Sequence, residues 1–190
     1  GSCCSGTDAA VLIKRLIHEV SIGVFPGASH GTFQHGISAE ICPSKRIFIQ
    51  RAFGSELRIL VGDLKELLSD GKARCWLRAG SDDNVDLPRD LSSIVAGFSC
   101  QDVSSNNAGS KNNRDCCRDG TKRTGSVLDA IVRIIARLAE SGLTCRVPEN
   151  VVGICFKNKL GNSNLDYVVE KLREIGWRVF PRLIDPKTLG

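Results

Sequence analysis

From residue 91 to residue 151 the chain reads LSSIVAGFSC, then QDVSSNNAGSKNNRDCCRDGTKRT, then GSVLDAIVRIIARLAES, then GLTCRVPENV. The first block is short and apolar, which predicts a buried strand over residues 91–98. In the third block Val127, Leu128, Ile131, Ile134, Ile135 and Leu138 fall on one stripe at helical spacing, which predicts a helix over 125–141. The fourth block predicts a second strand over 143–151. Strand, helix and strand in that order make a parallel pair joined by a crossover. The stretch from 104 to 124 is serine, asparagine, glycine and charge. It offers little to bury and is expected to be a mobile loop.

The same alternation continues on both sides. Upstream, Val11, Leu12, Leu16, Ile17 and Val20 predict a helix over 9–20, started by Asp8 or Thr7 as its cap. A glycine-rich link over 23–36 follows, then a short strand over 36–41 that ends in an acid. Pro43 opens a helix through residue 53, a position where a missing N–H costs nothing. Residues 57–61 form another strand, running into Gly62-Asp63. Residues 69–90 are polar and irregular, with at most a short strand near Trp76. Downstream, 165–175 reads as an amphipathic helix and 177–184 as a final strand. No internal repeat is visible. The expected architecture is α/β, Rossmann-like, with a mostly parallel sheet and helices on both faces.

Composition narrows the class. Hydrophobic residues make up 42% and charged residues 25% of the 190, the balance of an ordinary globular chain. No apolar run approaches the ~18 residues a membrane span needs, so a membrane partner is not expected. No signal peptide is visible, and there is no methionine, so the chain reads as processed, tagged or cut from something longer. The nine cysteines (3, 4, 42, 75, 100, 116, 117, 145 and 155) contain no C-x-x-C, and only His18, His30 and His35 could assist them. No metal site is expected from that set. An odd cysteine count without a secretion signal points to reduced thiols inside a cell. The net charge of +5, with Lys111, Arg114, Arg118, Lys122 and Arg123 crowded into one loop beside only Asp115 and Asp119, suits a polyanionic partner and equally a solvated loop.

In open α/β sheets, ligands bind beyond the carboxyl ends of the strands. Glu40, Asp63, Cys100 and Glu149 all fall at such ends in this reading. Four chemically useful groups at four strand ends define the candidate site.

Here the chain resembles a known family. Val95-Ala96-Gly97-Phe98-Ser99-Cys100-Gln101-Asp102-Val103-Ser104 is similar to the nucleophile motif of the cytosine-C5 DNA methyltransferases, usually Gly-Phe-Pro-Cys-Gln-Asp and a small polar residue. Glu149-Asn150-Val151 matches the family's Glu-Asn-Val motif. Arg123-Thr124-Gly125-Ser126-Val127-Leu128, with Arg133, resembles the segment opening the intervening helix. Cys4-Ser5-Gly6-Thr7-Asp8 sits where the cofactor loop belongs, and Glu40 and Gly62-Asp63 where the family places acids for ribose and adenine. The ordered set covers nearly the whole chain.

The resemblance implies methyl transfer from S-adenosylmethionine to C5 of a cytosine flipped out of double-stranded DNA, in the nucleus if the source is eukaryotic. Cys100 would be the nucleophile, Glu149 would bind the cytosine edge, and Asn150 would brace the Cys100 loop. Ser5, Gly6, Thr7, Glu40 and Asp63 would hold the cofactor; Gln101, Ser104 and Arg123 would meet the nucleic acid. The cofactor-binding half would be 1–90 and the nucleophile and base-binding half 91–190. Other readings are a weak or inactive nucleic-acid binder of the same fold, an RNA cytosine-C5 methyltransferase, or a different Rossmann-like enzyme in which Cys100 is only a buried small residue. The sequence leaves oligomeric state open.

The chain departs from the pattern in three places. Ser99 stands where the family has proline, Asp8 where the cofactor loop has its second glycine, and Cys4 where it has phenylalanine. The chain also begins where the first, central strand would be ending, and stops at 185–190 before the family's Gln-x-Arg-x-Arg segment. It is therefore expected to be an internal fragment lacking that first strand and the C-terminal part. As such it is expected to fold poorly by itself and not to methylate DNA.

Overall fold

A computed structural model describes residues 2–3, 8–27, 33–69, 72–77 and 84–184. It divides into two units: Gly1–Phe98 with Arg133–Glu149, and Ser99–Val132 with Asn150–Gly190.

The first unit carries a five-stranded sheet. Its strands are β1 (Ser2–Cys3), β2 (His35–Ala39), β3 (Leu57–Val61), β6 (Ser93–Gly97) and β7 (Cys145–Glu149), in the order β3-β2-β1-β6-β7. Every pair is parallel. The expected absence of the first strand is thus corrected: two residues of it are present, and they hold the central place. Ser2 pairs with Ser38 on one side and Val95 on the other. All five residues of β2 are buried, as befits a strand flanked on both edges in a parallel sheet.

β3 has the bounds expected of it. β2, β6 and β7 are shorter than the apolar runs that announced them, because a strand lasts only as long as a neighbour supplies its ladder. The polar stretch after β3 is more regular than its composition suggests. A short helix α3 (Glu66–Ser69) precedes an antiparallel pair, β4 (Lys72–Arg74) and β5 (Asn84–Asp86). The chain then continues past β4 to bridge Cys75 to Val61 at the edge of β3.

Besides α3, two longer helices belong to this unit among the described residues. α1 (Ala9–Val24) runs four residues beyond the expected end, and its apolar stripe is exposed rather than buried: Leu12, Ile13, Leu16, Ile17 and Val20 all face solvent, while Val11 is buried. α2 (Pro43–Phe53) buries Ile49 and Phe53 against Leu57 and Leu60 of β3. Among the described residues no helix is long and apolar enough to cross a membrane.

Helix α4 (Lys122–Ala139) begins in the second unit and ends in the first. Of the stripe read from the sequence, Leu128, Ile131, Ile134, Ile135 and Leu138 are each at most 3% exposed, while Val127 is half-buried. Within the first unit, Arg137 fixes its last turn by donating to the carbonyls of Leu67 (2.6 Å) and Leu68 (2.9 Å).

The second unit holds the polar loop and α5 (Asn164–Glu174). Ser163 and Asp166 close a reciprocal capping box at the start of α5. The strand expected over 177–184 does not form. Pro181 can donate no ladder bond, and Phe180, Leu183 and Ile184 are exposed on a segment with no strand beside it among the described residues.

Candidate functional site

In the first unit, β2 and β3 carry the two acids read as cofactor ligands. Ala39 pairs with Val61, and Glu40 N extends the ladder by donating to Val61 O (3.1 Å). Glu40 therefore follows β2 by one residue and Asp63 follows β3 by two, at the same end of adjacent parallel strands. The Glu40 side chain is buried, and its Oε1 accepts from Cys42 N at 2.9 Å. Asp63 Oδ1 accepts from Lys65 N at 2.9 Å, the local bond that turns the chain after β3. Ser5, Gly6 and Thr7 lie outside the described residues.

Asp8, just after them, does not cap α1 with its side chain. Its backbone is left-handed, φ 56°, and its carboxylate is buried, accepting from Ser38 Oγ. His35 Nε2 lies 2.8 Å from Ser38 Oγ and 3.5 Å from Asp8 Oδ2. Burial pushes His35 down to about 4, against the opposing pull of the Asp8 charge. Its Nδ1 is buried without a hydrogen-bond partner among the described residues, so a second proton there would find no acceptor.

The parallel pair β6–β7 brings the end of one strand level with Glu149: Gly97 is its register partner. The Glu149 side chain is exposed. Cys100 comes three residues after Gly97 along the chain.

In the second unit, Cys100 opens a tight turn. Its carbonyl accepts from Val103 N (3.1 Å) and Ser104 N (2.8 Å), and the residue is half-buried. Ser104, read as a nucleic-acid contact, also accepts on its Oγ from Asn106 N (3.3 Å). Gln101 and Arg123 are bound to each other, Nη1 to Oε1 at 3.1 Å, which links the Cys100 turn to the first turn of α4. A second link is stronger. Asp102 Oδ2 accepts from Thr124 N at 2.7 Å while Asp102 N donates to Thr124 Oγ1 at 3.4 Å. A carboxylate on an N-terminal helix N–H meets both an unsatisfied donor and the positive end of the helix dipole.

The polar loop after Cys100 is a chain of bonded turns with a buried lining, not the featureless segment its composition implied. Val103, Cys116, Cys117 and Thr124 are all buried. Asn113 Nδ2 donates to Asp102 O (3.1 Å), and Asn164 Nδ2 donates in turn to Asn113 O (3.2 Å). Asn164 Oδ1 accepts from Cys117 N (3.0 Å), tying α5 to the same loop. Cys116 and Cys117 share a side-chain hydrogen bond. That bond lowers the Cys116 thiol and, with burial, holds Cys117 firmly protonated.

Asn150 Oδ1 accepts from Val151 N at 2.9 Å, which starts the turn into a short 3-10 helix, Val152–Cys155. Gly153 in that turn presses on the loop after Cys100 so closely that a Cβ would run into the carbonyl of Val103. Gly125 is equally tight against the carbonyl of Cys116. Only glycine allows such backbone approach. Asn113, Gly153 and Asn164 were not singled out from the sequence, and Asp102 and Thr124 stood there only within motifs, with no role of their own. One signal was available: Ser163 and Asp166 spell a capping box that marks where α5 starts. Among the described residues no three His, Cys, Asp or Glu gather as metal ligands would.

No protein-family model matches the chain. Among curated proteins it is 37% identical over 107 residues to a protein of Cryptococcus neoformans var. grubii named DNA (cytosine-5-)-methyltransferase DMT5. The match covers 55% of this chain and 4% of that protein, so the chain spans only a small part of the relative's length. The similarity agrees with the resemblance read from the motifs.

Proposed function

We infer that this chain is the cofactor-binding and nucleophile-bearing part of a cytosine-C5 DNA methyltransferase, with Cys100 as the attacking thiol. The observation that carries the reading is the Cys100 turn itself. It follows an inner parallel strand, β6, and is bonded through Asp102 and Gln101 to the start of α4, in a chain similar to a protein named for that activity.

S-adenosylmethionine suits the acids at the strand ends. Its ribose hydroxyls and adenine amino group are donors, and Glu40 and Asp63 offer carboxylate acceptors. When bound, it supplies an electrophilic methyl group on sulfur. The Cys100 thiolate adds to C6 of the cytosine, which makes C5 nucleophilic enough to take that methyl. Loss of the C5 proton then expels the thiolate and restores the ring. Sulfur suits the step because thiolates attack well even when sparsely populated. Glu149 hydrogen-bonds the N3/N4 edge and stabilises the charge that develops there. Asn150 and the Val152–Cys155 turn brace the loop that aims the thiol. The target base is buried in a duplex, so it must be flipped out to reach these groups. Gln101, Ser104 and Arg123 lie on the segment that would meet the DNA.

Transfer of labelled methyl from S-adenosylmethionine to cytosine C5 in duplex DNA tests the reading. The full-length protein is expected to transfer it, and Cys100→Ser to lose at least a thousandfold, since the covalent route is closed. Undiminished transfer by Cys100→Ser would refute the assignment.

A further inference from the structure

We propose that Arg46 and Trp76 form a brace that sets the positions of Glu40 and Asp63, and with them the grip on the nucleoside half of S-adenosylmethionine. The proposal rests on the cofactor reading above and adds two positioning residues to it. All of its parts lie in the first unit.

Arg46 sits on α2, the helix that follows Glu40. Its Nη1 donates to Glu40 O at 3.0 Å and to Ile41 O at 2.6 Å, fixing the backbone from which the Glu40 carboxylate projects. The same guanidinium stacks on Trp76, with its carbon 4.2 Å from the ring centroid; Arg74 lies 4.8 Å from that ring. Trp76 is held by a second strand end: its N donates to Leu60 O at 2.7 Å, beside the Val61–Cys75 bridge. Its Nε1 stands 3.1 Å, and Arg46 Nη1 3.6 Å, from where a Cβ on Gly62 would lie. Gly62 directly precedes Asp63. One planar cation therefore spans the end of β2 and the cover over the end of β3.

Arginine suits the place. Its Nη1 carries two N–H groups, which serve the two carbonyls, while the guanidinium carbon lies over the indole. Lysine keeps the charge but not the plane. Neither Arg46 nor Trp76 need touch the ligand. Their effect is to hold two carboxylates at the spacing that ribose and adenine require.

Calorimetry on the full-length protein, with S-adenosylhomocysteine and with adenosine as separate probes, tests this. Glu40→Ala, which removes a direct ligand, serves as the control for the cofactor reading. Arg46→Lys and Trp76→Ala are each expected to weaken both probes about tenfold, while Trp76→Phe, which keeps an aromatic face, stays within about threefold of the parent. In steady state, Arg46→Lys should raise the KM for S-adenosylmethionine with kcat retained, a split that general loosening of the fold would not produce. If the parent and Glu40→Ala bind S-adenosylhomocysteine equally, or neither binds it, the cofactor reading fails and the brace fails with it. If Glu40→Ala weakens binding while Arg46→Lys and Trp76→Ala bind like the parent, the brace alone is overturned.

Discussion

Asp8 stands where the resembling family has glycine, and its backbone gives the reason a side chain is tolerated there. A φ of 56° is left-handed, a region that costs most residues 1–2 kcal/mol but that Asp enters more readily. The carboxylate then does what glycine could not, accepting from Ser38 beside the buried ring of His35. That ring brings a pH dependence. Its folded pKa of about 4 lies below the 6.5 of an ordinary histidine. Between those values the unfolded chain binds more protons than the folded one, so stability rises with pH across that window and falls on acidification through it. Thermal melts of the protein are expected to lose stability more steeply between pH 6.5 and pH 5 than melts of His35→Asn. Parallel curves for the two would contradict the burial of a neutral imidazole.

Among the elements, those with a strong period were legible and those built on side-chain-to-backbone bonds were not. The stripe of α4 and the apolar run of β3 announce themselves because burial repeats along them. The loop after Cys100 does not, since its order comes from Asn113, Asn164 and Asp102 reaching backbone groups far along the chain. Polar composition is the same whether such bonds form or not. The segment 177–184 misled in the opposite sense: it has strand-like residues but no partner ladder, and Pro181 within it. The Asp102 carboxylate is the most exposed of these inferences to test. Asp102→Ala removes a helix cap, expected to cost about 1 kcal/mol. Native-state hydrogen exchange should then speed up about fivefold at the amides of Thr124, Gly125 and Ser126. Unchanged exchange at those amides would show that Asp102 does not anchor α4.

For the molecule as a whole, the order of the elements was legible and the boundary between the two compact units was not. The ends of β2 and β3 could be read because an acid, Glu40 or Asp63, follows each apolar run within two residues. The boundary between units could not, because it cuts α4 between Val132 and Arg133, inside one continuous amphipathic stripe. The two units differ in charge. The second carries twelve Lys and Arg against eight Asp and Glu, and so holds four of the five net positive charges. That unit also contains Cys100, Gln101, Ser104 and Arg123, so the positive excess travels with the residues proposed to meet DNA. The central claim is that Cys100 attacks C6 of cytosine, and it has a direct test. Duplex DNA containing 5-fluorocytosine blocks the release step, because fluorine at C5 cannot leave as a proton does. Incubated with the full-length protein and S-adenosylmethionine, then digested and weighed by mass spectrometry, it should leave its nucleotide covalently on the peptide containing Cys100. A protein that binds this DNA and the cofactor yet forms no adduct, or forms one on another residue, would contradict the account.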